Sequence, residues 1–327
     1  MVPSRRRPFL AQVINDQMDT VRLAYRDTDR TPVIYCIKEM AARHYDLNVE
    51  ILRIHDTAAY EAAIFDGSAD MICEHLEYLF EEVAQNGRKA TMFLAPIRET
   101  DGPLVVAPDI KELDDLRGKK IAVRTSGRPY SIALRLRAMG IGDSVELVPV
   151  SDAEVGRWRQ WTKVTDGECA ATFVSCLYLP PALDAGLRLF PAPPFDIVGQ
   201  YAHACTPDYA RSHDGAMLRY VRSAVHGIAL MKLRPEEALK IVSGEPAKLM
   251  KLDQNPAELR RQFDCIVAPL QLKPFPTPAG IANSYDIGCN EWPGGAGINP
   301  MTLWDLHWLK QIDDEGFIDG LVAKLSG

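Results

Sequence analysis

Along the first two-thirds of the chain, apolar runs of about five residues alternate with longer stretches whose apolar positions recur at helical spacing. Residues 21–25 predict a strand, a polar loop follows over 26–31, and a helical pattern runs to about Tyr45. A strand over 49–54, the dipeptide His55-Asp56, a helix through Phe65, the turn Asp66-Gly67 and a short strand over 69–73 complete a first unit. The same order returns about one hundred residues later. It runs through a strand over 121–123, a loop over 124–128, a helix to about Met139, a strand over 145–150 and then Ser151-Asp152. A helical stretch carrying Trp158 and Trp161, the turn Asp166-Gly167 and a strand over 170–174 close it. Short apolar strands separated by helices of ten or more residues mark parallel sheets, whose crossovers need that length. Asp-Gly ends a helix because glycine enters the left-handed region at no steric cost, and Ser151 or Asp152 suits the cap of the helix that follows.

Between the units, residues 90–95 and 104–107 predict strands joined by a loop over 96–102. After the second unit, residues 197–205 read as a strand returning to the first lobe, and a long helical pattern covers 207–233. Helices near 235–242 and 256–263, an irregular stretch over 273–299 and an amphipathic ending over 301–325 complete the chain. The expected fold is α/β, with two similar lobes, each a parallel-dominated sheet flanked by helices, a ligand cleft between them and two inter-lobe crossings. The expected division is an N-terminal arm over 1–19, a first part of lobe 1 over 20–100, lobe 2 over 101–200, and a return to lobe 1 with C-terminal helices over 201–327.

Composition narrows the partners. The net charge is −7, from 37 basic and 44 acidic residues without long single-sign blocks, which argues against a general nucleic-acid surface. No apolar run approaches the roughly 20 residues that span a bilayer, so no membrane insertion is expected. Arg5, Arg6 and Arg7 begin like a signal peptide, but Gln12, Asn15 and Asp16 stand where its apolar stretch would be, so no export signal is read. The seven cysteines are scattered without a Cys-x-x-Cys pair, which suits a reducing cytoplasm; a periplasmic location is the alternative if an export signal lies outside this sequence. No cofactor motif and no metal-ligand spacing appears, so neither a cofactor nor a metal is expected.

In an open parallel sheet, ligands bind beyond the carboxyl ends of the strands. That rule selects Arg26 and Thr28, His55, Glu74 and His75, and Arg98 in the first lobe. In the second it selects Arg124, Thr125, Ser126, Gly127 and Arg128, then Ser151, Ser175 and Tyr178. The loop 124–128 sets Thr-Ser-Gly before a helix between two arginines and suits a carboxylate, phosphate or sulfonate, although a capped loop with two solvated arginines has the same sequence. Glu74 beside His75 suits acid/base work near neutral pH, but neighbours on a strand face opposite ways. Cys176 lacks an identifiable activating base and reads as structural. Trp158 and Trp161, three apart, line either the cleft or the core. The stretch 273–299 reads as a lid or an oligomer contact, which leaves self-association open.

The segment Asp115-Leu116-Arg117-Gly118-Lys119-Lys120-Ile121-Ala122-Val123 resembles the opening of the second lobe in nitrate, sulfonate and taurine solute-binding proteins and their thiamine-pyrimidine relatives, the type II periplasmic-binding-protein fold. With the strand order, this resemblance covers roughly residues 20 to 245. Asp27-Thr28-Asp29-Arg30, Asp70-Met71-Ile72-Cys73-Glu74 and Arg188-Leu189-Phe190-Pro191-Ala192-Pro193 resemble stretches of the dihydroxyphthalate decarboxylase family, a cytoplasmic enzyme branch of that fold. That second resemblance implies a carboxy-lyase for an aromatic or other small carboxylate, and the absence of metal-ligand spacing makes a metal-independent mechanism the expectation. Arg98, Arg124 and Arg128 would then hold carboxylates, and His75 or His55 would protonate the carbon that loses CO₂. The alternative is a non-catalytic binding component of an ABC transporter, or a sensor, for a small anion.

Overall fold

The computed structural model describes residues 18–26, 32–73, 77–98, 102–124, 130–156, 158–193, 195–198, 201–249, 252–289 and 297–327. Ten strands form two mixed sheets. They are β1 (Asp19–Tyr25), β2 (Leu47–Arg53), β3 (Met71–Cys73), β4 (Thr91–Leu94), β5 (Leu104–Val106), β6 (Lys120–Arg124), β7 (Glu146–Val150), β8 (Ala171–Phe173), β9 (Arg188–Phe190) and β10 (His203–Cys205). One sheet has the order β2-β1-β3-β10-β4 and the other β7-β6-β8-β5-β9. In each, four strands run one way and a single strand opposes them: β10 is antiparallel to β3 and β4, and β5 to β8 and β9.

Helices cover both faces of each sheet, which is why the strands read as continuous apolar runs rather than alternating ones. On β1, Val21, Leu23 and Tyr25 enter one core with the helices Pro32–His44 and Asp214–Leu233, while Ala24 enters a second core with Tyr60, Ile72 and Phe80. In the other lobe Ile121 and Ala122 divide in the same way. Pro32–His44 starts on a proline and ends on Arg43 and His44, both suited to the helix dipole. It packs along Asp214–Leu233 so closely that a Cβ on Gly227 would sit 2.9 Å from the Ile37 nitrogen.

The sequence expectation of a two-lobe α/β fold with two crossings holds, with local differences. Among the described residues of the expected strand over 197–205, His203–Cys205 form the strand, and the helical run from 207 breaks at His213. Trp158 and Trp161 do not share a helix. The helix Asp152–Val155 stops at Gly156, whose φ of +86° reverses the chain, and the next helix begins at Thr162. The stretch 273–299, expected to be irregular, contains the helix Pro278–Cys289.

That helix helps to fix the hinge. The first crossing donates Ala95 N–H to Pro274 O at 2.9 Å and accepts at Pro96 O from Gln271 N–H at 2.9 Å. The second crossing joins the first where Ile197 N–H meets Arg98 O at 2.7 Å. It joins the helix where Val198 N–H meets Ser284 Oγ at 2.9 Å and Asn283 Nδ2 donates to Asp196 O at 2.7 Å. Both crossings and the segment 271–284 are therefore one hydrogen-bonded assembly. The helix also packs against Glu77–Asn86 in lobe 1 and Tyr130–Ala138 in lobe 2, so the described part of 273–299 is a brace between lobes rather than a free lid.

Two buried histidines add a pH dependence. His203, fully buried, shares Nδ1 with the Tyr220 hydroxyl at 2.8 Å, and burial lowers its pKa to about 3. His226 meets the Tyr45 hydroxyl at 3.0 Å, and burial, with His44 and Lys324 nearby, lowers it to about 4. Both are neutral in the fold and titrate near 6.5 in the unfolded chain. Above that pH neither state is favoured by them. Below it the unfolded chain takes up the protons first, so stability falls as pH drops from about 6.5 toward 4, by up to about 1.4 kcal/mol per pH unit for each histidine. Denaturant titrations between pH 7 and 4.5 should show that slope, reduced by about one proton in His203→Asn. In the hinge, Ser284→Ala leaves the buried Val198 N–H without its acceptor and should cost about 1–3 kcal/mol in a urea titration.

Candidate functional site

The strand registers superpose one lobe on the other. In lobe 1, Ala24 pairs with Leu52 on β2 and Ile72 on β3; in lobe 2, Ala122 pairs with Val148 on β7 and Thr172 on β8. Counting on from these matched rungs, Arg26 corresponds to Arg124, His55 to Ser151, Asp56 to Asp152, and Cys73 to Phe173. All stand at the carboxyl ends of parallel strands, where the helices that follow begin.

The two lobes repeat one construction there. Each strand-end arginine lies over an aromatic ring: Arg26 is 5.9 Å from the centre of Tyr60, and Arg124 is 4.0 Å from that of Trp158. The last carbonyl of the third strand takes a side-chain donor from the same place in each unit. Tyr60 Oη donates to Cys73 O, and Gln160 Nε2 donates to Phe173 O at 2.9 Å. Both donors are buried, so these bonds fix the strand ends from below. A capped helix follows the second strand in each case, with Asp56 accepting from Ala59 N–H at 2.8 Å and Ser151 Oγ from Glu154 N–H at 3.2 Å.

The lobes differ in how the arginine charge is used. Arg124 makes a two-pronged ion pair with Asp152, Nε to Oδ1 at 2.9 Å and Nη2 to Oδ2 at 2.5 Å, with both side chains mostly covered. Asp152 also accepts from Trp158 N–H at 3.3 Å, and Trp158 sits at φ +63°, a conformation that costs a bulky residue of order 1–3 kcal/mol. In lobe 1 Asp56 caps its helix instead, and Arg26 has no carboxylate within ion-pair distance among the described residues. The difference matters for anion binding. At an effective dielectric of ~20 a unit anion ~4 Å from a lone guanidinium gains about 4 kcal/mol, and a carboxylate a few ångströms behind it takes back more than half.

The expected site residues therefore divide. Arg26 and His55 share the ends of β1 and β2, with Ile54 N–H on Tyr25 O at 3.1 Å, and His55 is exposed. Arg124 and Ser151 share the ends of β6 and β7, and the buried Ser175 caps the turn Cys176–Tyr178 through Leu177 N–H at 3.4 Å. Tyr178 is half-buried on that turn. Arg98 departs from expectation: its guanidinium donates to Phe275 O at 2.9 Å and Lys273 O at 2.8 Å, so it clamps the hinge rather than offering its charge to a carboxylate. Arg124 departs likewise, because Asp152 already occupies it. Thr28, Glu74, His75, Thr125, Ser126, Gly127 and Arg128 lie outside the described residues. The sequence reading overlooked Tyr60 and Gln160; aligning Asp66-Gly67 with Asp166-Gly167 sets the two opposite each other.

Among the described residues, no group of three or more His, Cys, Asp or Glu side chains is arranged to hold a metal ion, and no helix is long and apolar enough to cross a membrane. A surface hollow of about 510 Å³ is lined by His307, Lys310, Gln311, Asp314 and Glu315 and includes none of the strand-end residues.

No family model matches the sequence, and no curated protein aligns with it. Solved structures do share the fold. The periplasmic sulfonate-binding protein of a putative sulfonate ABC transporter from Methylobacillus flagellatus superposes with a TM-score of 0.64 at 15% identity, covering 93% of this chain and 96% of its own. The periplasmic nitrate-binding protein of Synechocystis gives 0.56 at 11% identity, over 91% and 89%. The alkanesulfonate-binding protein of Xanthomonas axonopodis, solved with MOPS bound, gives 0.54 at 16% identity, over 81% and 90%. At such identities the likeness establishes the type II periplasmic-binding-protein fold, as the segment 115–123 implied, and nothing finer.

The paired carbonyl locks are testable. Tyr60→Phe removes the donor to Cys73 O and should lower stability by about 1 kcal/mol, read from the denaturant midpoint.

Proposed function

We propose that this protein is a solute-binding protein that holds one small anion between its lobes. The observation that carries this reading is the strand-end constellation of lobe 1, where Arg26 lies over the ring of Tyr60 at the carboxyl end of a parallel strand with no carboxylate within ion-pair distance among the described residues. The fold shared with sulfonate- and nitrate-binding proteins supports it. Such a cleft needs no catalytic group. Buried, hydrogen-bonded strand ends hold donors in place, and preorganisation of that kind lowers the cost of binding.

This reading brings with it a periplasmic setting, as for those two neighbours, and an ABC-transporter partner, as for the sulfonate-binding one, in place of the cytoplasmic setting expected from cysteine usage. The carboxy-lyase expectation draws no support from the described geometry. His75 and Glu74 lie outside it, Arg98 is spent on the hinge and Arg124 on Asp152. Native mass spectrometry and thermal-shift screening against small carboxylates, sulfonates and nitrate, with product analysis of every hit, tests the proposal. A ligand that stabilises the protein and is recovered unchanged is the expected result; consumption with release of CO₂ would establish the lyase instead.

A further inference from the structure

The two arginines that the fold makes equivalent are not equivalent electrostatically, and this difference says what kind of anion the cleft takes. Arg124 is held on two sides, by Asp152, which receives Nε and Nη2, and by the ring of Trp158; Trp158 N–H in turn ties the same carboxylate. The strained backbone of Trp158 shows that the surrounding chain imposes this arrangement. An anion seeking Arg124 would have to displace a carboxylate already in place, and would meet its repulsion. Arg26 has the ring of Tyr60 and no carboxylate partner among the described residues. Its aspartate counterpart is turned into the first turn of the helix Thr57–Ala62, where it binds Ala59 N–H.

We propose that the ligand is an organic monoanion whose charged group is held in lobe 1 at Arg26, and that its uncharged end faces the neutralised Arg124–Asp152–Trp158 wall of lobe 2. Asp152 is then a specificity residue: it bars a second anionic group from the position that Arg124 would otherwise serve. The inference rests on the solute-binding reading.

The test uses matched mono- and dianions of one carbon skeleton: hexanoate with adipate, benzoate with terephthalate, and butanesulfonate with its disulfonate. Affinities are measured by calorimetry on the full chain and on the folded variants Arg26→Gln, Arg124→Gln and Asp152→Asn. At least one monoanion should bind the wild type more tightly than its dianion partner. Arg26→Gln should weaken it by about tenfold or more, as expected for loss of a charge-assisted bond. Arg124→Gln should weaken the dianion more than the monoanion, because it leaves the Asp152 carboxylate unpaired. Asp152→Asn should improve the dianion by about tenfold relative to the monoanion, because it releases the second guanidinium. Should Arg124→Gln misfold for want of a partner to Asp152, the Asp152→Asn ratio alone decides. Preferred dianions in the wild type, or an unchanged ratio in Asp152→Asn, would overturn the proposal while leaving the solute-binding reading intact. No binding by any of the six anions would overturn the proposal, and the solute-binding reading falls with it only if the wider screen, nitrate included, also finds no ligand.

Discussion

Each crossing between the lobes ends in a strand that lies antiparallel inside the sheet it has just reached, and the rest of the architecture depends on that exchange. β5 lies between β8 and β9, and β10 between β3 and β4, so the first sheet is not continuous until the chain has passed through the other lobe. A crossing with its forward strand locked in a ladder cannot slide. The described crossing residues 95–98 and 195–198 are bonded to one another and to the segment 271–284. Arg98 donates Nε and Nη2 to backbone carbonyls of that segment.

From the same exchange comes the placing of the strand-end residues. β10 and β5 fill the position next to the third strand and pair with it out to its last residue, Cys73 in one lobe and Phe173 in the other. Buried side chains then take up the last carbonyls, Tyr60 in one lobe and Gln160 in the other. With the backbone satisfied in this way, the arginines that follow the first strands are free to differ. One is neutralised by its neighbour and the other is not, although the sheets beneath them are built alike.

Much of this was legible in the sequence, for a physical reason. Val21, Leu23, Ile121 and Val123 are apolar because both faces of each sheet are covered, and the repeated Asp-Gly turns mark where each unit starts its third strand. The polar hinge was not legible. Ser284, Asn283 and Thr277 look like turn residues, and only the tertiary partners Val198 and Asp196 make a helix of that stretch. The pairing of Arg124 with Asp152 also escaped, because it joins two strand ends that look in sequence like two separate loops. Trp158 and Trp161 were misassigned to one helix because Gly156, which turns the chain away, lies between the helical cap and the first tryptophan.

The exchanged strands also bear on how the molecule reaches its native state. Lobe 2 is a continuous insert, complete once β9 has been made, whereas lobe 1 waits for residues 203–205 to return from beyond it. During synthesis the first lobe must therefore stand with an open gap between β3 and β4 while the second lobe condenses, its unpaired ladder exposed to other chains. Closing that gap brings together residues more than one hundred positions apart, such as Ile72 and Ala204, and such non-local pairing is the slow kind. The return of β10 is thus the point at which the two halves of the molecule become a single cooperative unit.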